Sequence, residues 1–188
     1  YDSFLYYNKS INHAVAMRKY NLLPDRYLLV TIHRAENTDN KERLSNALSV
    51  LRDISKEIEV VLPLHPRTKK MIDYFSLSFD GIKVIDPVPY LTMISLLSCA
   101  KLVATDSGGL QKEAYFAKTP CLTIRDETEW METLEDGWNH LVSLHNTEDF
   151  MGKLRAVLGS THSNLPYHHF YGQGNTAKII VDSIIDFE

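Results

Sequence analysis

Short apolar runs and helically spaced apolar stripes alternate along this chain with few interruptions. Mainly apolar stretches at 27–32, 60–64, 102–105 and 121–124, with Ile82–Ile85 and a weaker one at 141–143, have strand length and no helical period. Runs of that kind are buried on both faces, as in a parallel sheet. Between them Leu44, Ala47, Leu48, Leu51 and Ile54 fall on one helical face, and Asp39 with Glu42 resembles a capping box for that helix. Further helices are predicted over 66–75, 91–99 and 109–118. Phe4, Tyr7, Ile11, Ala14 and Val15 give one amphipathic lead-in helix ending near Tyr20, before the break at Leu23-Pro24-Asp25.

The C-terminal part carries two more stripes. Phe150, Leu154, Val157 and Leu158 form one, closed by Gly159; Ala177, Ile180, Val181, Ile184 and Ile185 form a stronger one on a final helix over about 175–187. The polar loop 159–174 between them holds His162, His168 and His169, whose spacing matches no metal template and reads as solvated. Alternating β and α predicts a single α/β domain over 1–188, a doubly wound parallel sheet (Rossmann-like) with right-handed crossovers.

Composition narrows the partners. The 188 residues, 44% of them hydrophobic, suffice for one core of ordinary size. Lys and Arg number 20 against 24 Asp and Glu, a net charge of −4, which speaks against nucleic acid and leaves any anionic ligand to local donors. No apolar run reaches the length of a membrane span, and no secretory signal pattern is present. Cys99 and Cys121 sit in apolar surroundings and read as buried free thiols of a reducing compartment, the cytoplasm. The chain opens on Tyr1 rather than Met, so a piece of a longer protein is expected.

In a doubly wound sheet, ligands bind beyond the carboxyl ends of the strands, and there the polar residues gather. After the first strand comes His33-Arg34-Ala35-Glu36-Asn37; after the second, His65-Pro66-Arg67-Thr68; after the fourth, Asp106-Ser107-Gly108-Gly109; after the fifth, Arg125-Asp126-Glu127-Thr128-Glu129. The fourth cluster hands a strand to a helix. Free amides at a helix start, the helix dipole and two glycines favour an anion there, with Ser107 adding a hydroxyl. Glu113, one turn beyond Gly109, is badly placed for phosphate and well placed to accept from a sugar diol. The competing reading makes Asp106 or Ser107 a plain N-cap and the glycines mere turn formers. His33 is open to three roles: donor to an oxygen, acid near neutral pH, or helix cap. His65 before Pro66 reads as structural. Pro87-Val88-Pro89-Tyr90 is a rigid segment whose main chain can meet a base edge, with Tyr90 or Met93 covering the ring.

Three segments together, Leu-Val-Thr-Ile-His-Arg-Ala-Glu-Asn at 29–37, Thr-Asp-Ser-Gly-Gly-Leu-Gln-Lys-Glu-Ala at 105–114 and Arg-Asp-Glu-Thr-Glu at 125–129, resemble the non-hydrolysing UDP-N-acetylglucosamine 2-epimerases. The resemblance covers the chain as the C-terminal half of a glycosyltransferase-B-like two-domain fold. It implies a UDP-sugar substrate, with Ser107, Gly108 and Gly109 at the diphosphate, Glu113 at the ribose, Val88 and Met93 at the uracil, and His33 in the catalytic site. Arg34, Glu36, Arg125 and Glu129 are further candidate substrate contacts. The family commonly reads Thr-Glu-Arg where this chain has Thr128-Glu129-Trp130, so a cationic contact is either missing or supplied elsewhere. The reaction implied is elimination of UDP and its re-addition, interconverting UDP-GlcNAc and UDP-ManNAc for cell-surface polysaccharide precursors, with no metal and no cofactor. The acid and base carboxylates would belong to an N-terminal domain outside this chain, and the full-length enzyme would be a homodimer. A glycosyltransferase half and a non-catalytic sugar-nucleotide-binding domain are the alternatives.

Overall fold

The computed structural model describes residues 1–162 and 164–186. Its elements run α1 (Asp2–Ser10), α2 (His13–Tyr20), β1 (Tyr27–Thr31), α3 (Ala35–Thr38), α4 (Lys41–Ile54), β2 (Glu59–Pro63), α5 (Pro66–Phe75), β3 (Ile82–Ile85), α6 (Tyr90–Ser98) and β4 (Leu102–Thr105). Then follow α7 (Gly108–Ala117), β5 (Cys121–Ile124), α8 (Glu132–Glu135), β6 (Asn139–Val142), α9 (Thr147–Gly159) and α10 (Thr176–Ile185). All strand pairs are parallel and the sheet order is β3-β2-β1-β4-β5-β6. This is the expected doubly wound, Rossmann-like arrangement, and strand order reverses between β1 and β4.

Every residue of β1 is buried, and its side chains alternate between two cores. Leu28, Val30 and Ile32 meet Leu44, Leu51 and Phe150 from α4 and α9 on one face; Tyr27 and Leu29 meet Met17, Leu96 and Ala114 from α2, α6 and α7 on the other. Alternation to opposite faces is a property of any strand, so a run apolar at every position must be covered twice. The Tyr27 hydroxyl has no water to turn to and donates to the Leu96 carbonyl.

Several local expectations give way to competing hydrogen bonds. The lead-in helix is two helices: Ile11 is extended and Asn12 accepts from the Ala14 amide, so a new cap restarts the chain at His13. The cap of α4 is Asn40, accepting from the Arg43 amide, whereas Asp39 is engaged by Arg67. The histidine loop is only partly solvated. His168 Nδ1 lies 2.5 Å from the carboxylate of the buried Asp136, which also accepts from Tyr115, and His162 Nε2 is 2.9 Å from the Val157 carbonyl. Cys121 is buried, but Cys99 at the end of α6 is half-exposed. The last helix forms, with residue 187 of its expected span outside the described residues, yet its stripe packs on nothing described: Ile179, Ile180, Val181, Ile184 and Ile185 are all more than half exposed. Among the described residues no helix is long and apolar enough to cross a membrane.

Phe150 joins α9 to the core over β1 and is fully buried. Phe150→Ala is expected to cost about 3–5 kcal/mol, read as a lowered urea midpoint with unchanged helical circular dichroism in the native baseline.

Candidate functional site

The loops after β1 and β4 flank the crevice where strand order reverses, and one side chain joins them. Asp106, the first residue after β4, has no solvent exposure. Its Oδ2 accepts from the Arg34 amide at 2.9 Å, the His33 amide at 3.0 Å and Asn37 Nδ2 at 3.2 Å; its Oδ1 accepts from the His33 amide at 3.1 Å and lies 3.2 Å from His33 Nδ1. Burial alone would raise its pKa, but these donors hold the carboxyl below its usual range. Thr105 and Thr31 close the strand ends beneath it, their hydroxyls 2.5 Å apart, and Thr105 Oγ1 accepts from the Ser107 amide.

Ser107 then caps α7, its Oγ accepting from the Leu110 amide at 3.3 Å. The hydroxyl hydrogen stays available, so capping does not remove Ser107 as a donor. The amides of Gly108 and Gly109 donate to no described residue, and Gly109 is exposed. These are free donors at the positive end of a helix dipole.

A pocket of about 420 Å³ opens beside this turn, and His33, Val88, Met93, Ser107, Gly109 and Glu113 all line it. Its wall is mostly apolar, with Tyr90 and Leu110 completing it. Glu113 sits at its edge, and burial raises its carboxyl pKa against the opposing pull of the Tyr90 hydroxyl and Lys112. Tyr90 is affected in turn: burial, and then the charge of Glu113, push its hydroxyl up to about 12. His33 is raised by its hydrogen bond to Asp106, against burial and Arg34.

Gly108 faces the other way, toward a second cluster. A Cβ built there would stand 2.9 Å from Glu129 Oε1, 3.4 Å from Arg34 Nη2 and 3.5 Å from Trp130 Nε1. Arg125 Nη1 holds Glu129 at 2.6 Å, its Nε lies 3.8 Å from Glu36, and Arg34 Nη2 is 3.9 Å from Glu129. At the position of the missing arginine, Lys112 Nζ stands 3.7 Å from the Trp130 ring centroid. The four remaining candidate contacts thus form one ion network along the flank of the turn.

Other parts of the four clusters are structural. His65 Nδ1 accepts from the Arg67 amide and caps α5, and Thr68 donates to the Ile32 carbonyl. Asp126 accepts from Ser143 at 2.6 Å and from the buried Arg43 at 3.0 Å. Arg43 also donates to Asn37 Oδ1 at 3.1 Å, so α4 braces the loop that carries His33. Sequence reading missed the reach of Asp106, Asn37 and Arg43, whose partners are distant in the chain; the one signal was an acidic residue directly after a wholly apolar strand. A larger groove of about 620 Å³ lies at the opposite rim, between Lys101, Lys118 and Trp138. Size alone does not favour it, because it sits at the amino ends of the strands.

Fold and geometry define a class: a Rossmann-like α/β domain whose free-amide turn, half-buried glutamate and apolar slot meet at the switch point of the sheet. The family model described as UDP-N-acetylglucosamine 2-epimerase matches residues 1–185, and the chain belongs to that family. It is 40% identical over 189 residues to the UDP-N-acetylglucosamine 2-epimerase homolog of Methanococcus maripaludis, across 97% of this chain and 51% of that protein. It is 43% identical over 159 residues to the UDP-2,3-diacetamido-2,3-dideoxy-D-glucuronate 2-epimerase of Pseudomonas aeruginosa, across 84% of this chain and 44% of that protein. The structure of Methanocaldococcus jannaschii UDP-GlcNAc 2-epimerase in complex with UDP-GlcNAc and UDP superposes with a TM-score of 0.84 at 36% identity, across 100% of this chain and 52% of that one. The chain spans about half the length of the relatives it matches, their C-terminal half.

The two glycines differ in what surrounds them. Gly108→Ala must push the Glu129 carboxylate aside, which is expected to cost roughly 1 kcal/mol and to change Trp130 fluorescence. Gly109→Ala, whose Cβ would meet only Ser107 Oγ at 3.9 Å, should leave both the thermal midpoint and the emission unchanged.

Proposed function

We propose that this chain is the UDP-binding half of an enzyme that epimerises a UDP-linked N-acetylamino sugar at C2, with UDP-GlcNAc and UDP-ManNAc as the pair interconverted. The observation that carries the reading is the free Gly108 and Gly109 amides beside a pocket that also presents His33 and Glu113. In this reading the diphosphate lies across the turn and takes hydrogen bonds from both amides and Ser107. The ribose diol donates to Glu113, and the uracil lies in the slot between Val88 and Met93. Arg34, Glu36, Arg125 and Glu129 contact the sugar side of the substrate.

Epimerisation proceeds here by elimination of UDP across C1 and C2, then re-addition to the opposite face. Departure of UDP develops negative charge on the phosphate, and fixed amide donors with a charged histidine stabilise that charge where it appears. Removal and return of the C2 proton need carboxylates poised for transfer. We assign them to a second lobe outside this chain. The unpacked aliphatic face of α10 supports such a lobe, since a ten-residue helix with an exposed apolar stripe gains little stability on its own. The proposed setting is the cytoplasm, as part of cell-surface polysaccharide precursor synthesis. A diacetamido uronate is the second reading of the sugar, favoured by the 43% identity to the P. aeruginosa enzyme and by the three cations, Arg34, Lys112 and Arg125, around Glu129 and Trp130.

Titration calorimetry of this chain with UDP is expected to show saturable one-to-one binding, and no heat at millimolar UDP sinks the assignment. Glu113→Gln is expected to weaken UDP by about tenfold or more, the worth of a hydrogen bond to a charged group. Its effect on stability has the opposite sign. Because the folded carboxyl pKa is raised from 4.5, the stability Glu113 contributes is present below that value and is lost as pH rises through the folded one. Glutamine mimics the neutral form, so Glu113→Gln should unfold at an equal or higher temperature at pH 7. Incubated with UDP-GlcNAc in D2O, the chain alone is expected to leave C2 unexchanged; exchange would overturn the placement of the proton-transfer groups.

A further inference from the structure

We propose that Asp106 is a positioning residue for the chemistry of this pocket: it holds the His33 imidazole through Nδ1, so that Nε2–H is presented to the phosphate lying on the Gly108–Gly109 turn. The inference rests on the reading of the pocket as a diphosphate site.

A buried carboxylate has to be satisfied, and Asp106 already accepts from two backbone amides and the Asn37 amide. Those three donors suffice to tie the loops together. The His33 ring is under no such obligation. Its side chain is 37% exposed, yet it turns inward and places Nδ1 3.2 Å from Asp106 Oδ1. An ionised carboxylate only accepts, so Nδ1 is the ring nitrogen that carries the hydrogen toward Asp106, and Nε2 is the one left for a ligand of the pocket that His33 lines. One contact thus fixes both the tautomer and the orientation.

The same contact decides the charge. Asp106 lies directly below the turn, and alone its negative charge would oppose an anion bound there. With His33 protonated the pair is neutral, and of the two it is His33, not the buried Asp106, that lines the pocket. The groups facing His33 are Asp106 from the β4–α7 turn, Arg34 from its own loop and His65 from the β2–α5 loop, its ring centroid 5.4 Å away; Glu113 lines the same pocket from α7. Burial and Arg34 oppose the second proton, and the hydrogen bond to Asp106 outweighs them. Asparagine at 106 could keep some of the amide bonds but could not hold an imidazolium.

Ring 15N and 1H NMR of the unliganded wild-type chain gives the first test. His33 is expected to carry its hydrogen on Nδ1 when neutral and to titrate above the ordinary histidine value; an Nε2–H tautomer or an ordinary titration overturns the proposal without reference to UDP. In Asp106→Asn the His33 titration should fall toward the ordinary histidine value, and UDP affinity at pH 7 should weaken about tenfold. His33→Gln is expected to remove the weakening of UDP-GlcNAc binding between pH 6 and 8, read with this ligand because its diphosphate diester does not titrate in that range, and adding Asp106→Asn to it should cost no further affinity. Additive losses would show that Asp106 acts on the fold rather than through His33. If Asp106→Asn does not fold, the wild-type tautomer and the pH dependence lost in His33→Gln decide the matter: a slope that persists in His33→Gln overturns the proposal. Wild-type protein that shows the expected tautomer and titration but binds no UDP refutes the diphosphate reading instead, and with it the role assigned to Nε2–H.

Discussion

A carboxylate cut off from water is tolerable only where donors converge on it, and the crevice of this domain is built around one such group. Asp106 gathers two main-chain amides, a carboxamide and an imidazole from the loop after β1, some seventy residues away in the chain. The loop after β1 and the turn after β4 are therefore held as a unit, at the point where the strand order reverses. Neither loop has a core of its own. Arg43 reaches Asn37 from α4 and Asp126 from the loop after β5, which extends the same hydrogen-bonded frame to a third strand end.

This frame explains why the free amides matter. Most buried or half-buried amides in a folded chain find an acceptor, and those at the start of α7 are left open while the residues on either side, Ser107 and Leu110, are paired. Chain entropy would normally blur two glycines at a helix start. Here the cap below and the tied loop beside them fix the backbone, so the donors are oriented before any ligand arrives. A preorganised donor pair loses little on binding, which is how a domain of net charge −4 can still favour an anion at one place.

Much of the architecture was legible because parallel strands covered on both faces leave a one-letter signature: β4 and β5, buried at every position, fall where the apolar runs lie. What was not legible is long-range or competitive. Nothing near Asn12 shows that its side chain will win against a continuous lead-in helix, and nothing near Asp39 shows that Arg67 will claim it and pass the cap to Asn40. The stripe of α10 was visible, but a stripe does not name its partner, and on this chain none of its five aliphatic side chains is covered. The candidate pocket was largely foreseen, since turn chemistry is local. The role of Asp106 was not, because its partners come from the first strand. His168 shows the same limit: it is exposed, as a loop histidine should be, yet nothing near it in the chain shows that the buried Asp136 will hold its ring.

The departure from the family pattern at Trp130 fits the same physics. Where an arginine would bring its own charge, the indole offers a π face, and Lys112 from α7 occupies that face. Positive charge is thus kept beside residue 130 but delivered from the helix instead of the loop, and on a flexible stem rather than a planar fork. A guanidinium can hold a carboxylate or phosphate by two parallel bonds; an ammonium over an indole cannot. The indole Nε1 is itself buried with no acceptor among the described residues, and it faces the α-carbon of Gly108. This flank of the turn therefore combines a displaced cation, an unpaired donor and a carboxylate already shared by two arginines. Trp130 belongs to this flank and does not line the apolar pocket, so an effect of substitution at Trp130 is separable from one at Glu113.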